Sequence, residues 1–378
     1  MDDAFIFDKY VTGKAFTGRY SECNALGNLI EKGENVSIYA APKAGKTSLV
    51  QQALINLRTS GSTLTPIMLS ILKVRTAEDY LSALASAVIS AVAAGPYEYE
   101  SFIQKYLPGG NFYFDSSDYE DLGKIVQMRG AASEDDIVAG LSLPYAVAEQ
   151  TGKKLCIVID EFQTIMQIPS YERGLRHMEV ISTEYAESGR MSYVFCGSAV
   201  NAMKYIFAEK KFFFRNVVNI PLSQISEQDV IDYIVEGFRP SGKVIEKDLI
   251  QKPYRVFRGS MWYLNQMFFL CGARAIGYIN EKIISDSIET LISYNLPRFR
   301  SYVNSLTVFQ ISFLRAVLHG QTRFSAAEVI EKYDLHSSAN VKRVCEALMK
   351  KEILTFTEKG EPVVIDPLFE YWFRREIL

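Results

Sequence analysis

Residues 35–57, NVSIYAAPKAGKTSLVQQALINL, constrain this chain more than any other stretch. An apolar run ending at Ala40 gives way to a short loop, and the loop opens directly into a helical pattern that starts at Lys46 and runs to about Leu57. Strand, tight loop and helix in that order aim the free backbone N–H groups of the helix start at one spot, where the helix dipole favours an anion. The loop reads A-A-P-K-A-G-K-T and matches the phosphate-binding pattern G-x-x-x-x-G-K-S/T except at its first position, where Ala40 replaces glycine. Lys46 is placed to reach β and γ phosphates, the Thr47 hydroxyl to bind Mg²⁺, and Gly45 to let the backbone approach the phosphates closely. Ala40 ends the strand, ahead of the amides that cradle the anion, so its methyl group leaves that chemistry in place. The expected nucleotide loop is therefore Pro42, Lys43, Ala44, Gly45, Lys46, Thr47 and Ser48.

The rest of the first two-thirds alternates strands with helices. TPIMLSIL (65–72) reads as a strand, and YLSALASAVISAVAAG (80–95) as a buried or amphipathic helix with Leu81, Leu84, Val88 and Val92 on one face. That run is too short, and too rich in Ala and Ser, to span a bilayer. LCIVID (155–160) is apolar without alternation, as a strand covered on both faces must be. SYVFCGS (192–198) and VVNIPL (217–222) follow as further strands. The pattern predicts a parallel sheet with helices on both faces. Residues 95–140, aromatic and acidic around PGGNFYFDSSDYED, read as an insertion or lid. The 155–160 strand ends in Asp160-Glu161, two carboxylates at the sheet edge where α/β folds bind ligands. There Asp160 suits Mg²⁺ held through water, and Glu161 suits orienting or deprotonating an attacking water.

Beyond residue 223 the pattern changes. ISEQDVIDYIVEGF (225–238) opens with Ser226 three residues before Asp229, a capping-box spacing, and helical periodicity then continues to about Asn304 with no convincing strand. Three helices follow within LTVFQISFLRAVLHG, FSAAEVIEKYDL and SSANVKRVCEALMKKEIL, then two short strands around a Lys-Gly turn in TFTEKGEPVVID. Three helices and a hairpin make a winged helix, a variant of the helix-turn-helix. Its third helix carries Lys342, Arg343, Lys350 and Lys351 against Glu346, so Lys342 and Arg343 are candidate contacts to duplex DNA. Counted from Leu306 to Leu378, however, ten Lys and Arg balance ten Asp and Glu, and a helix that docks on protein reads the same way.

The composition excludes several other classes. A formal net charge of -3 gives no global basic field, so any nucleic-acid contact must be local. The five cysteines, at 23, 156, 196, 271 and 345, form no C-x-x-C pair, and Cys156 and Cys196 fall inside apolar runs as core thiols. Three scattered histidines offer no catalytic metal site. The opening MDDAFIFDKY lacks the basic and apolar regions of a signal peptide, and the expected location is cytoplasmic.

With these motifs placed, the chain resembles the archaeal-type ATPase family in the STAND branch of the AAA+ P-loop proteins. FTGR (16–19) followed by Glu22 resembles that family's F-x-G-R-x-x-E motif beside the adenine, which implicates Gly18 and Arg19. YAAPKAGKTSL resembles Y-G-P-R-R-x-G-K-T-S-L, and IVIDEFQ the family's Walker B strand. FCGSAVNAM (195–203) resembles its sensor strand with Ser198 in the polar position, and FFFRNVVNIPLSQIS a segment that places Arg215 as an arginine finger. For Ser198 and Arg215, ordinary strand-end and surface roles compete with those of sensor and finger. RGSMWYLNQM (258–267) resembles the helical domain's G-G-x-P-x-Y-L-Q, and VVIDPLFEYWFRR (363–375) the ending D-P-L-F-x-x-W. The chain departs from the family at Ala40, at Met261 in place of a nucleotide-contacting proline, and at Phe214 in place of a glycine before Arg215.

The resemblance implies an α/β P-loop core over 1–223, with the insertion at about 95–140, a helical lid over 224–304 and a winged helix over 305–378. ATP with Mg²⁺ would bind and be hydrolysed slowly, switching the tail's relation to a DNA or protein partner, with ADP as product and an oligomer as one possible active form. The rivals are a DNA-binding regulator that hydrolyses little and a P-loop phosphotransferase; no acceptor pocket is evident for the latter.

Overall fold

The computed structural model describes residues 4–207, 211–213 and 215–378. Phe214, and the Met1–Asp3 start of the acidic opening, lie outside the described residues. The chain divides into two compact units, one of Tyr20–Ala40 and Leu49–Leu222, the other of Met1–Arg19, Ala41–Ser48 and Ser223–Leu378.

The first unit is built on a sheet. In chain order its elements are α1 (Tyr20–Glu31), β1 (Val36–Tyr39), α2 (Lys46–Thr59, whose first turn belongs to the other unit), β2 (Thr65–Ser70) and α3 (Ala77–Val92). After these come α4 (Tyr99–Tyr106), β3 (Phe112–Tyr113), α5 (Ser116–Leu122), β4 (Gln127–Met128), α6 (Glu134–Thr151), β5 (Leu155–Asp160), α7 (Tyr171–Glu184), β6 (Met191–Gly197), α8 (Val200–Phe207) and β7 (Val218–Asn219). Five strands pair in the order β2-β5-β6-β1-β7, every pair parallel. The interior strands carry the residues the pattern demands: β6 is buried throughout, and β5 is buried from Leu155 to Ile159. Edge strand β2 alternates instead, with Ile67 and Leu69 buried and Met68 exposed.

Helices close the sheet with strong local signals. Thr76 and Asp79 form a reciprocal capping box at the start of α3, as Ser133 and Asp136 do for α6. The 95–140 stretch folds into α4, α5 and the antiparallel β3–β4 hairpin, and its residues from Glu134 on already belong to α6. Tyr99, Ile103, Tyr106, Phe112 and Val126 join the same apolar core as β2, β5 and β6.

The second unit is mostly helical. It contains α9 (Glu227–Phe238), β8 (Val244–Ile245), α10 (Asp248–Val256), α11 (Met261–Arg274), β9 (Tyr278–Ile279) and α12 (Glu281–Asn304). Next are α13 (Val308–Leu318), α14 (Ala327–Lys332), α15 (Ser338–Lys350), β10 (Leu354–Phe356), β11 (Pro362–Val364) and α16 (Pro367–Glu376). Ser226 caps α9 by accepting from the Asp229 N–H at 3.1 Å. The expectation of no strand between 225 and 304 is corrected by β8 and β9, which pair in parallel. Two residues each are too few to carry a period-2 signal, so a sequence reading passes over them. β10 and β11 form the antiparallel wing.

One apolar core runs through this unit from Phe5 to Phe373, joining α9–α12 to the winged helix. A polar junction reinforces it. The Asp366 carboxylate caps α16 by accepting from the Leu368 and Phe369 N–H groups, and it also accepts from the Tyr263 hydroxyl at 2.9 Å and from Arg298 Nη2 at 2.7 Å. The N-terminal strap is tied down just as firmly. Phe5 is buried against Phe238 and Phe268, while Tyr233, Asn265 and Trp262 donate to the backbone carbonyls of Ala4, Ile6 and Phe7.

Asp366→Ala removes a helix cap and strands the half-buried Arg298 cation. It is expected to lower stability by about 1–3 kcal/mol in chemical denaturation, and Asp366→Asn by less, because the amide keeps the capping oxygen.

Candidate functional site

At the sheet's C-terminal edge, Tyr39 of β1 stands level with Gly197 of β6, and Ile159 of β5 with Phe195. The chain leaves β1 there as the phosphate-loop sequence, leaves β5 as Asp160-Glu161 and leaves β6 as Ser198. Ala40 continues the pairing, its N–H donating to the Gly197 carbonyl at 3.3 Å, and its φ lies outside the left-handed region. A methyl group therefore costs nothing at the position where the loop pattern has glycine.

The loop itself curls tightly. Lys43 and Gly45 adopt left-handed φ values of 63° and 92°, and the Ala44 N–H donates to the Ala41 carbonyl at 3.2 Å. Lys46, the first residue of α2, is only 6% exposed, and its ammonium donates to the Ala41 carbonyl at 3.0 Å. A buried cation folded back over a loop at a helix N-terminus is arranged to meet a negatively charged ligand. Thr47 follows on the first turn. Ser48 accepts from the Val11 N–H at 3.0 Å, so its hydroxyl fastens the N-terminal segment to the loop. Arg19 braces the loop from a second direction, donating from Nη1 to the Ala44 carbonyl and from Nε to the Ser223 carbonyl at 3.2 Å. Gly18, at φ 66°, has no room for a side chain: a Cβ there would lie 2.7 Å from Ile225 Cγ2. Pro42 lies between Ala41 and the turn at Lys43.

On the sheet unit, the carboxylates are held by neighbours. Asp160 Oδ1 accepts from the Glu161 N–H at 3.0 Å, and Glu161 takes a left-handed φ of 56°, which turns its side chain out of the strand direction. Glu161 Oε2 accepts from Ser198 Oγ at 2.6 Å and from Gln163 Nε2. The 3-10 turn Phe162–Gln167 that carries Gln163 is anchored by Phe162, whose ring sits 4.5 Å from that of Phe195. Oxygen donors from Thr47 and Asp160 are of the kind a hard Mg²⁺ ion takes.

This architecture has solved counterparts. The Walker-type ATPase of Pyrococcus abyssi matches with a TM-score of 0.63 at 15% identity, over 98% of this chain and 99% of that one. The Aeropyrum pernix ORC2 protein in its ADP form matches with a TM-score of 0.54 at 13% identity, over 96% and 93%. Cdc6p from Pyrobaculum aerophilum matches at 0.50 and 13%, over 100% and 99%. Residues 297–375 match a family model described as "Probable winged helix domain". The fold is that of the AAA+ P-loop ATPases with a C-terminal winged helix. No curated protein matches the sequence.

The remaining expected residues belong to other segments of the chain. Arg215 is exposed, at a φ of 61°, in the segment after α8. Met261 begins α11, behind the left-handed Gly259. Lys342 and Arg343 are exposed on α15 between the buried Val341 and Val344. Among the described residues no group of three or more His, Cys, Asp or Glu could hold a metal, and no single helix is long and apolar enough to cross a membrane. Among the described residues, none of the five cysteines forms a disulfide. Gln163 is the residue that sequence reasoning passed over, although IVIDEFQ placed it two positions after Glu161.

Gly197 is required by close packing: a Cβ there would come within 2.4 Å of Met203 and 2.8 Å of Gln163 Oε1. Gly197→Ala is expected to cost about 1–3 kcal/mol, read as a lowered thermal midpoint, because both side chains must shift to admit the methyl group.

Proposed function

We propose that this chain is a Mg²⁺-dependent ATPase of the STAND branch that acts as a slow, nucleotide-controlled switch. The observation that carries the reading is the buried Lys46 ammonium, curled onto the Ala41 carbonyl at the start of α2. A phosphate would take over from that carbonyl as the partner of the charge. In this reading the loop from Pro42 to Ser48 cradles the phosphates, and Gly18 and Arg19 keep the loop in shape beside the base. When bound, Mg²⁺ would be held by the Thr47 hydroxyl and, through water, by Asp160, and would offset the charge of the phosphates. Glu161 takes a proton from water as the water oxygen bonds to the γ phosphorus. The bond from that phosphorus to the bridging oxygen breaks, leaving ADP and phosphate. Ser198 orients Glu161, and Arg215 supplies positive charge to the transferring phosphoryl group, from the same chain or from a neighbouring copy. The three-part division into 1–223, 224–304 and 305–378, and a cytoplasmic location, belong to the same proposal.

Lys46→Ala is expected to abolish ATP binding by isothermal titration; unchanged affinity would refute the nucleotide site. Glu161→Gln should retain binding and lose turnover, because an amide cannot accept the proton, and wild-type turnover in that variant would remove Glu161 from the mechanism.

A role for the tail rests on the exposure of Lys342 and Arg343 on α15. If α15 enters duplex DNA, each phosphate contact releases counterions, and affinity falls with salt by a log-log slope of about 0.9 per contact. Replacing both residues by Ala should then weaken duplex binding and flatten that slope while leaving ATP affinity unchanged. Weak, salt-insensitive binding that the double substitution does not alter would instead favour docking of the winged helix on protein.

A further inference from the structure

The Glu161 carboxylate is unevenly occupied. Oε2 takes two donors, Ser198 Oγ at 2.6 Å and Gln163 Nε2, whereas Oε1 accepts no hydrogen bond among the described residues. The Gln163 amide is itself held at both ends. Its Oε1 accepts from the Ser198 N–H at 3.2 Å, and its Nε2 also lies 3.4 Å from Ser198 Oγ. A backbone N–H can only donate, so the amide oxygen must face Ser198 and the NH₂ group must face the carboxylate; the opposite flip would lose both bonds. The turn leaves Gln163 little freedom, since Phe162 and Thr164 on either side are buried. Gly197 leaves the space the amide oxygen occupies.

We propose that Gln163 is a positioning residue for hydrolysis, one that fixes Oε2 of Glu161 against the end of β6 and so presents Oε1 to the attacking water. This rests on the ATPase reading and deepens it. Gln163 touches neither nucleotide nor water in this role; it acts through Glu161. A carboxylate free to rotate offers its basic oxygen in the productive direction only part of the time, and the loss falls on the chemical step rather than on binding. The same amide bonds the backbone of Ser198, so a shift of the β6 end would be transmitted to the carboxylate within one side chain.

The test compares the steady-state kinetics of the full chain with those of Gln163→Met, which keeps the side chain's length and removes its hydrogen bonds. The expected result is a fall in kcat of about tenfold with ATP affinity unchanged within twofold, the size of one hydrogen bond to a charged group. Gln163→Glu retains the acceptor for the Ser198 N–H but sets a second negative charge beside Glu161, so its kcat should fall at least as far. In a Glu161→Gln background, Gln163→Met should cause no further loss of residual turnover. Multiplying losses in that background, or a wild-type kcat in Gln163→Met, would overturn the proposal while leaving the ATPase reading intact. If Gln163→Met fails to fold, a wild-type kcat in Gln163→Glu would still overturn the proposal. Absence of ATP turnover in the unaltered chain would instead refute the reading on which this inference rests.

Discussion

Leu155–Ile159 of β5 and the whole of β6 are buried without interruption, and strands covered on both faces need helices on each side of the sheet. The rest of the sheet unit follows from that. Parallel pairing requires crossovers, the crossovers supply α2, α3, α6 and α7, and the helices in turn bring their apolar faces to the sheet. Because all five strands run the same way, the residues that follow β1, β5 and β6 emerge at a single edge. The two carboxylates and Ser198 follow β5 and β6 at that edge, and the Ser198 hydroxyl donates to Glu161 there.

Most of this was legible in the residues. The unbroken apolar runs of LCIVID and SYVFCG announced interior strands, the Gly45-Lys46-Thr47 sequence announced the loop, and the order of helices and hairpin after Leu306 announced the winged helix. The pairs β8–β9 and β3–β4 were not legible. Strands of two residues depend on what their neighbours cover and leave no periodic trace.

The candidate acids and bases are plain in the sequence, Ser198 and Arg19 are reached through the motifs that carry them, and Gln163 is not. Asp160, Glu161 and Lys46 stand out because their chemistry is rare in such positions. Gln163 stands out only once it is known that it joins Glu161 to Ser198, which lies 35 residues further along the chain. Ala40 shows the converse. A motif position lacking its glycine looks like a defect in one dimension, yet the backbone there needs no left-handed φ, and the loop's sharp turns fall at Lys43 and Gly45.

The strap at Ala4–Phe7 bears on how the molecule is made. Phe5 packs on Phe238 and Phe268, and the carbonyls beside it are held by Tyr233, Trp262 and Asn265. During synthesis those residues emerge long before their partners, and the entire sheet unit is translated in between. The helical unit therefore closes by joining segments more than 220 residues apart, a pairing that is slow by topology and comes after the sheet unit has had time to form. Until Tyr233 and Phe238 leave the ribosome, Phe5 has none of its native ring partners, and for that interval the nascent chain carries an unburied aromatic.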